Sequence, residues 1–354
     1  MTDTIDISIN KVGQSSIGTL DVHNIPFAKI YSDHMFEADY RDGEWKNFRI
    51  VPYQNISVSP ANNTLHYAIT VFEGMKAYKN DDGEVLLFRP EANAKRLNIS
   101  AERMCIPELP EALFMEALTT LIKLDSQWVP SVPGTSLYIR PFIFATDEYI
   151  GIRPSDTFKF MIITCPVGAY YSAPVNVKIE TKFSRAFQGG TGFAKAGGNY
   201  AASLYPAKLA KEQGFDQLIW TDAETHQYIE ESGTMNVMFI IDNTIITAPA
   251  SGTILKGITR DSVLTLARDW GMKVEERKVP VKEIVEAAKN GTLQEAFGVG
   301  TAATIAHIAR IGFEDEVYDL GPIAEREFSN KVLFELDRIK TGKAEDKFNW
   351  MLKV

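Results

Sequence analysis

The period of the hydrophobic positions along this chain changes several times, and each change marks an element. In FAKIYSDHMFEADY, residues 27–40, apolar and polar residues alternate, which predicts a strand with one buried face. MKAYKNDDGEVLLFRP reads as a hairpin turning at Asp81, Asp82 and Gly83, and EANAKRLNISAERM follows as a helix. In PEALFMEALTTLIKLDSQWV, Leu113, Ala117, Leu121 and Leu124 recur at helical spacing. TSLYIRPFIFA and FKFMIITCPV are two further strand-like runs.

GAYYSAPV then breaks the pattern. Its Gly, Ser and Pro predict a linker at residues 169–178, after a smaller α/β domain of residues 1–168 and before a larger domain of residues 179–354 that carries Lys195. The second part restarts with NVKIETKFSRAF as a strand, and a helix is expected from about Ala201 to Gln213, with Pro206 tolerable in its first turn. FDQLIWTD, QYIEESGTMNVMFII and TIITAPA read as strands, the last two joined through Asp242 and Asn243. GITRDSVLTLARDWG is a helix with Val263, Leu264, Ala267 and Trp270 inward and Gly271 closing it. PIAEREFSNKVLFELDRIKTG is a long amphipathic helix. The fold class is therefore α/β or α+β, in two lobes.

Composition narrows the function. At 354 residues, two domains are the natural expectation. The 37 basic residues are outnumbered by 46 acidic ones, with no basic cluster, which argues against a nucleic-acid partner. No apolar run approaches the length that spans a bilayer and MTDTIDISIN is no leader, so a soluble cytoplasmic protein is expected. Cys105 and Cys165 lie in apolar contexts and are expected to be buried free thiols. His23, His34, His66, His226 and His307 form no metal-ligand spacing, so no metal is expected.

Candidate chemistry starts at GFAKAGGNY, where Lys195 is the only formally charged residue between Ala186 and Ala207. An apolar, glycine-rich surround favours the nucleophilic amine that a Schiff-base lysine needs, although composition alone favours a surface lysine on a flexible loop. If Lys195 carries an aldehyde cofactor, an acid, a hydroxyl donor and an anion site must accompany it. Glu230 and Glu231 stand in tandem in a strand, so alternation turns one of them inward. Tyr200 can supply the hydroxyl if the chain turns at Gly197 and Gly198. Thr259 at a helix start, and the loop with Gly298, Gly300 and Thr301, offer backbone N–H groups to a phosphate.

These segments resemble the pyridoxal-phosphate-dependent branched-chain aminotransferases, whose two-domain fold is shared with D-amino-acid aminotransferase (fold type IV). The resemblance runs through YAITVFEGMKAY, LFRPEANAKRL, LYIRPF, CPVGAYY, KAGGNYAASL, EESGTMNVMF, ILKGITRDSVL and FGVGTAATI, in that order over nearly the whole chain. It implies that Lys195 binds the cofactor and moves the substrate proton, that Glu231 rather than Glu230 faces the pyridine nitrogen, and that Tyr200 donates to the ring oxygen. It further implies a phosphate cradle of Arg96, Ile258, Thr259 and Thr301, with Leu255 against the ring. Phe27, Tyr67, Phe72, Tyr138, Tyr170 and Thr234 match the substrate pocket, and Ala302 matches the N–H that meets the α-carboxylate. Arg140 is the candidate for the distal carboxylate of 2-oxoglutarate, an interlobe salt bridge being its alternative.

DEYIGI resembles a loop that enters a neighbouring subunit's pocket, which implies a homodimer with Ile150 and Ile152 across the interface. Ala303 and Ala306 stand where some relatives carry a redox-active cysteine pair. The implied reaction is reversible transamination of leucine, isoleucine and valine with 2-oxoglutarate. D-amino-acid aminotransferase and aminodeoxychorismate lyase activities are the alternatives on the same fold.

Overall fold

The structure is a computed structural model and describes residues 5–168 and 173–354. Its contacts group the chain into two compact units. The first comprises Met1–Tyr170, Ala194–Gly198 and Asp337–Val354; the second comprises Tyr171–Phe193 and Asn199–Leu336. The first cut falls in the stretch expected as a linker, but two segments expected in the second domain, including the one with Lys195, join the first unit. Sequence order cannot show this, because both segments return to the first unit through contacts made far along the chain.

The first unit is built on one sheet. Its strands are β1 (Ser8–Ile9), β2 (His34–Arg41), β3 (Glu44–Pro52), β4 (Thr70–Phe72), β5 (Met75–Lys79), β6 (Val85–Phe88), β7 (Ser136–Ala145) and β8 (Phe158–Val167). The order is β1-β3-β2-β8-β7-β5-β6, a C-terminal strand Met351–Lys353 adds to β6, and β4 pairs with β7. Helices α1 (Asn63–Tyr67), α2 (Pro90–Arg103) and α3 (Glu111–Leu124) complete the unit. The β5–β6 hairpin turns where the sequence indicates: Asn80 Oδ1 accepts from Asp82 N and Glu84 N, and Gly83 takes φ 81°. Strand β2 departs from the expectation of one wet face. Six of its eight residues are buried, because it lies between β3 and β8 inside the sheet. Leu97 of α2 and Leu113, Ala117 and Leu121 of α3 pack with Phe36, Ile139 and Phe160 from the sheet into the unit's main core.

The second unit holds β9 (Val175–Glu180), β10 (Gln217–Thr221), β11 (Tyr228–Ser232), β12 (Met235–Ile241), β13 (Thr244–Thr247), β14 (Lys273–Glu276), β15 (Val279–Pro280), β16 (Leu293–Gly300), β17 (Thr304–Phe313) and β18 (Glu316–Asp319). Their order is β14-β13-β12-β16-β17-β9-β10-β11-β15, with β18 on β17 and an added β11–β12 pairing. That last pairing closes β12, β16, β17, β9, β10 and β11 into a ring, which removes the edges those strands would otherwise expose. The run QYIEESGTMNVMFII is thus two strands, bent at Gly233, whose φ of 57° suits glycine.

The helices assigned to this part of the chain are α4 (Gly197–Glu212), α5 (Ile258–Asp269), α6 (Val281–Asn290) and α7 (Glu327–Lys340). α4 corrects the expectation of a start near Ala201: it opens on Gly197, so Pro206 lies mid-helix and costs a backbone bond there. Gly298 and Gly300, expected in a loop, end β16. Cys105, expected to be buried, is exposed, whereas Cys165 is buried. Among the described residues no helix is long and apolar enough to cross a membrane, and no group of three or more metal-ligating side chains forms.

Candidate active site

Lys195 is anchored to β4 and α2. Its carbonyl accepts from Phe72 N at 3.1 Å, and its N–H donates to Ser100 Oγ at 2.9 Å. Ala196 bridges Val71, and a Cβ at Gly197 would press on Thr70 Cγ2, so the glycine lets the chain pass β4 closely. Lys195 Nζ lies 4.9 Å from the centroid of the Phe72 ring, within cation–π reach.

Arg96 and Glu73 form a buried pair in the same unit. Arg96 Nε donates to Glu73 Oε1 at 2.7 Å and its Nη2 to Oε2 at 2.8 Å; Asn93 Nδ2 adds 2.7 Å to Oε2. Burial pushes the Glu73 carboxyl up, but the Arg96 charge and hydrogen bonds, the Lys195 charge and Asn93 outweigh it and hold the group below the usual carboxylate range. Lys195 is therefore solitary in sequence and not in space. Glu73, quoted above only as part of YAITVFEGMKAY, is a member of the site that sequence reasoning missed; its partner stands 23 residues on.

Arg140 has a different environment. Its guanidinium carbon lies 4.6 Å from the Phe72 ring centroid and 5.3 Å from that of Tyr138, and Nη2 donates to the Tyr138 hydroxyl at 2.8 Å. Among the described residues it pairs with no carboxylate, and its buried Nε has no hydrogen-bond partner. Phe27 completes this wall, its ring 5.7 Å from Tyr138 edge-on. Tyr67 ends α1, half-buried. Ile150 and Ile152 are 67% and 93% exposed on a loop that Asp147 ties down by accepting from Asp156 N and Thr157 N. Tyr170 lies outside the described residues.

In the second unit Glu231 is held from three sides. Oε1 accepts from Leu255 N at 2.9 Å and Asn236 Nδ2 at 3.2 Å, and Oε2 lies 3.1 Å from Arg185 Nε in an ion pair too bent for a hydrogen bond. Asn236 is also its cross-strand partner in the β11–β12 register. Arg185 Nη2 donates in turn to the Thr253 carbonyl. Leu255 is thus fixed at the backbone by Glu231 and Asn236. Ile258 and Thr259 open α5, where Gly257 at the N-cap supplies no capping side chain, and a Cβ there would collide with Asn236 Oδ1. Tyr200 lies in the first turn of α4. Thr301 and Ala302 form the β16–β17 turn, and Thr234 is exposed at the β11–β12 turn. Arg185, Asn236 and Thr253 were not singled out from sequence, although Arg185 directly precedes the charge-free stretch around Lys195.

The donor set suits an anionic heteroaromatic aldehyde. In the first unit a lysine amine has the chemistry for its aldehyde; in the second, a carboxylate held by two donors and an ion pair, and a helix start with no side-chain cap, have the chemistry for its ring nitrogen and its phosphate.

Comparison with known proteins agrees. The class IV amino-transferase family matches residues 70–311. Branched-chain-amino-acid aminotransferase 2 of Bacillus subtilis (strain 168) is 45% identical over 338 residues, covering 94% of this chain and 93% of that protein. Among solved structures, the Escherichia coli branched-chain amino acid aminotransferase superposes with a TM-score of 0.73 at 27% identity, over 90% of this chain and 98% of that one. The T.th. branched-chain amino acid aminotransferase complexed with N-(5′-phosphopyridoxyl)-L-glutamate gives 0.69 at 25% identity, over 89% and 97%.

Proposed function

We infer that this chain, which belongs to the class IV aminotransferase family and within it to the branched-chain-amino-acid aminotransferases, transfers the amino group of leucine, isoleucine or valine to 2-oxoglutarate. Its cofactor is pyridoxal 5′-phosphate. When bound, that group supplies an aldehyde for the substrate nitrogen and a ring that accepts electrons from the α-carbon.

The chain's own residues supply the rest. Lys195 Nζ takes the proton from the substrate α-carbon and holds it for return. Glu231 presents a fixed negative charge to the ring nitrogen and so favours its protonated form. Tyr200 donates to the ring oxygen, Leu255 covers the ring, and Arg96, Ile258, Thr259 and Thr301 bind the phosphate. Ala302 N–H meets the substrate α-carboxylate, while Phe27, Tyr67, Phe72, Tyr138, Tyr170 and Thr234 surround the side chain. Ile150 and Ile152 reach a second copy in a cytoplasmic homodimer; their exposure on a tethered loop supports that reading.

The observation that carries the substrate assignment is Arg140. Its charge is held by two aromatic faces and, among the described residues, by no carboxylate, so one wall offers apolar surface to a branched side chain and a cation to the distal carboxylate of 2-oxoglutarate. A visible spectrum of the purified protein tests the reaction. Its cofactor band shifts when L-leucine is added without any oxo acid and returns with 2-oxoglutarate; a band that ignores L-leucine and answers a D-amino acid refutes the assignment. In Arg140→Met the KM for 2-oxoglutarate rises about tenfold or more while that for leucine changes little; equal losses refute the role given to Arg140.

A further inference from the structure

A second cleft, of about 630 Å³, opens in the second unit on strand β11, and Glu231 is not among its lining residues. Its buried charged group is Glu230; the half-buried Asp222 and the exposed Glu224 and Lys278 also line it. Glu230 is 8% exposed, Oε1 accepts from Thr253 Oγ1 at 2.6 Å, and the buried Oε2 has no hydrogen-bond partner among the described residues. Strand alternation turns Glu230 and Glu231 to opposite faces, so the cleft lies behind the wall that holds Glu231.

The β11–β15 register pairs Tyr228 with Pro280 and Ile229 with Val279. Lys278 directly precedes β15, just as Glu230 directly follows Ile229. Both line the cleft, yet they do not meet: Lys278 Nζ lies 4.9 Å from the Tyr228 ring centroid and pairs with no carboxylate among the described residues. Phe187, Ile254, Pro249 and Ala248 supply apolar wall. A buried carboxyl and an exposed ammonium lining one cleft, not paired with each other and both bordering apolar surface, match a zwitterion with an apolar side chain.

We propose that this cleft binds a free α-amino acid with an apolar side chain, its ammonium donating to Glu230 and its carboxylate accepting from Lys278. A turn about the last torsion of Glu230, which is soft for a carboxylate, presents Oε2 to the ligand. The cleft also touches the catalytic wall: Thr253 binds Glu230 through its hydroxyl and Arg185 through its carbonyl, and Arg185 pairs with Glu231. Glu230, which meets the occupant's ammonium, is therefore linked to Glu231 by three contacts, through Thr253 and Arg185.

The test uses holoenzyme whose cofactor has been converted to its amino form by excess L-glutamate and which has then been desalted, so that leucine cannot react. Equilibrium dialysis with radiolabelled L-leucine is expected to show one saturable equivalent per chain, weakened at least tenfold both in E230Q and in K278M. Unlabelled 4-methylpentanoate, which lacks the ammonium, and 3-methylbutylamine, which lacks the carboxylate, are expected not to displace it. Each variant should keep the cofactor spectrum of the parent, which separates lost binding from lost folding. No saturable equivalent, binding unchanged in either variant, or displacement by either half-molecule overturns the proposal. If L-glutamate fails to convert the cofactor, the proposed reaction is at fault; the dialysis then runs on the protein as purified and still decides the cleft.

Discussion

Replacing Glu73 with Gln isolates what the buried Glu73–Arg96 pair contributes. Glu73 is fully buried and Arg96 is 8% exposed, so neither charge has water to fall back on. With charge centres about 4 Å apart and an effective dielectric of about 20, their attraction is about 4 kcal/mol. Removing one partner leaves the other charge buried alone, at a cost of about 3–5 kcal/mol. E73Q keeps the shape of the side chain and deletes its charge, and Arg96→Met does the converse. Each is expected to lower the stability of the cofactor-free protein by that amount in urea unfolding, with Trp45, Trp128 and Trp350 reporting from the same unit.

The double variant should lose far less than the sum, leaving a coupling of at least about 2 kcal/mol. The pH dependence supplies a second check. The Glu73 carboxyl lies below its ordinary value in the folded state, so its stabilisation is present above about pH 4.5 and lost as pH falls through the folded pKa. The gap between parent and E73Q should therefore narrow in acid. Single losses below about 1 kcal/mol, an additive cycle, or a gap that stays constant down to pH 3 would refute this account.

Arg185→Met removes one of the three groups holding Glu231. A lost charged contact is worth about 1.5–3 kcal/mol, so leucine turnover should fall about tenfold to a hundredfold, with partial recovery in Arg185→Lys and a larger isotope effect with α-deuterated leucine; an unchanged isotope effect takes Arg185 out of the proton-transfer step. Lys340, at the end of α7, is buried against Phe88 and Tyr78, its Nζ 5.1 and 5.8 Å from the two ring centroids. Burial first, and then the charge of Lys76, lower it to about 7 against the pull of Asp337. The unfolded chain then binds more protons between about pH 7 and 10.5, so stability should rise with pH across that window and flatten in Lys340→Met, by about 3–5 kcal/mol in total. Parallel curves for parent and variant would show that the ammonium is not disfavoured there.

Local signals in the sequence are realised where the determinant is itself local. The turn at Asn80–Gly83, the stripe of Leu113, Ala117 and Leu121, and the Asp242–Asn243 turn with φ of 49° and 55° each depend on a few neighbouring residues. What the pattern did not carry depends on distant partners. Met351–Lys353 becomes a strand because Leu86, Leu87 and Phe88 offer an edge. Residues 227–241 fold as a hairpin because β11 and β12 pair to close a ring. Gly197 joins α4, where it packs on Thr70, though glycine disfavours a helix by itself.

The tandem glutamates show the same division within the site. Alternation correctly implies that Glu230 and Glu231 cannot share a face, but it treats the other face as solvent, and both residues are buried. Their difference lies in their partners. Glu231 receives a backbone N–H, an amide and a guanidinium, from Leu255, Asn236 and Arg185, which are 24, 5 and 46 positions away in sequence. Glu230 receives one hydroxyl, and burial pushes its carboxyl above the usual range, with Thr253 and Arg185 only partly opposing it. Two identical side chains in one strand thus differ in how firmly their charge is supported, and that difference is set by residues brought together only when the ring closes. A fixed anion is what a ring nitrogen needs, and a poorly satisfied one is what a cleft can use to attract an ammonium.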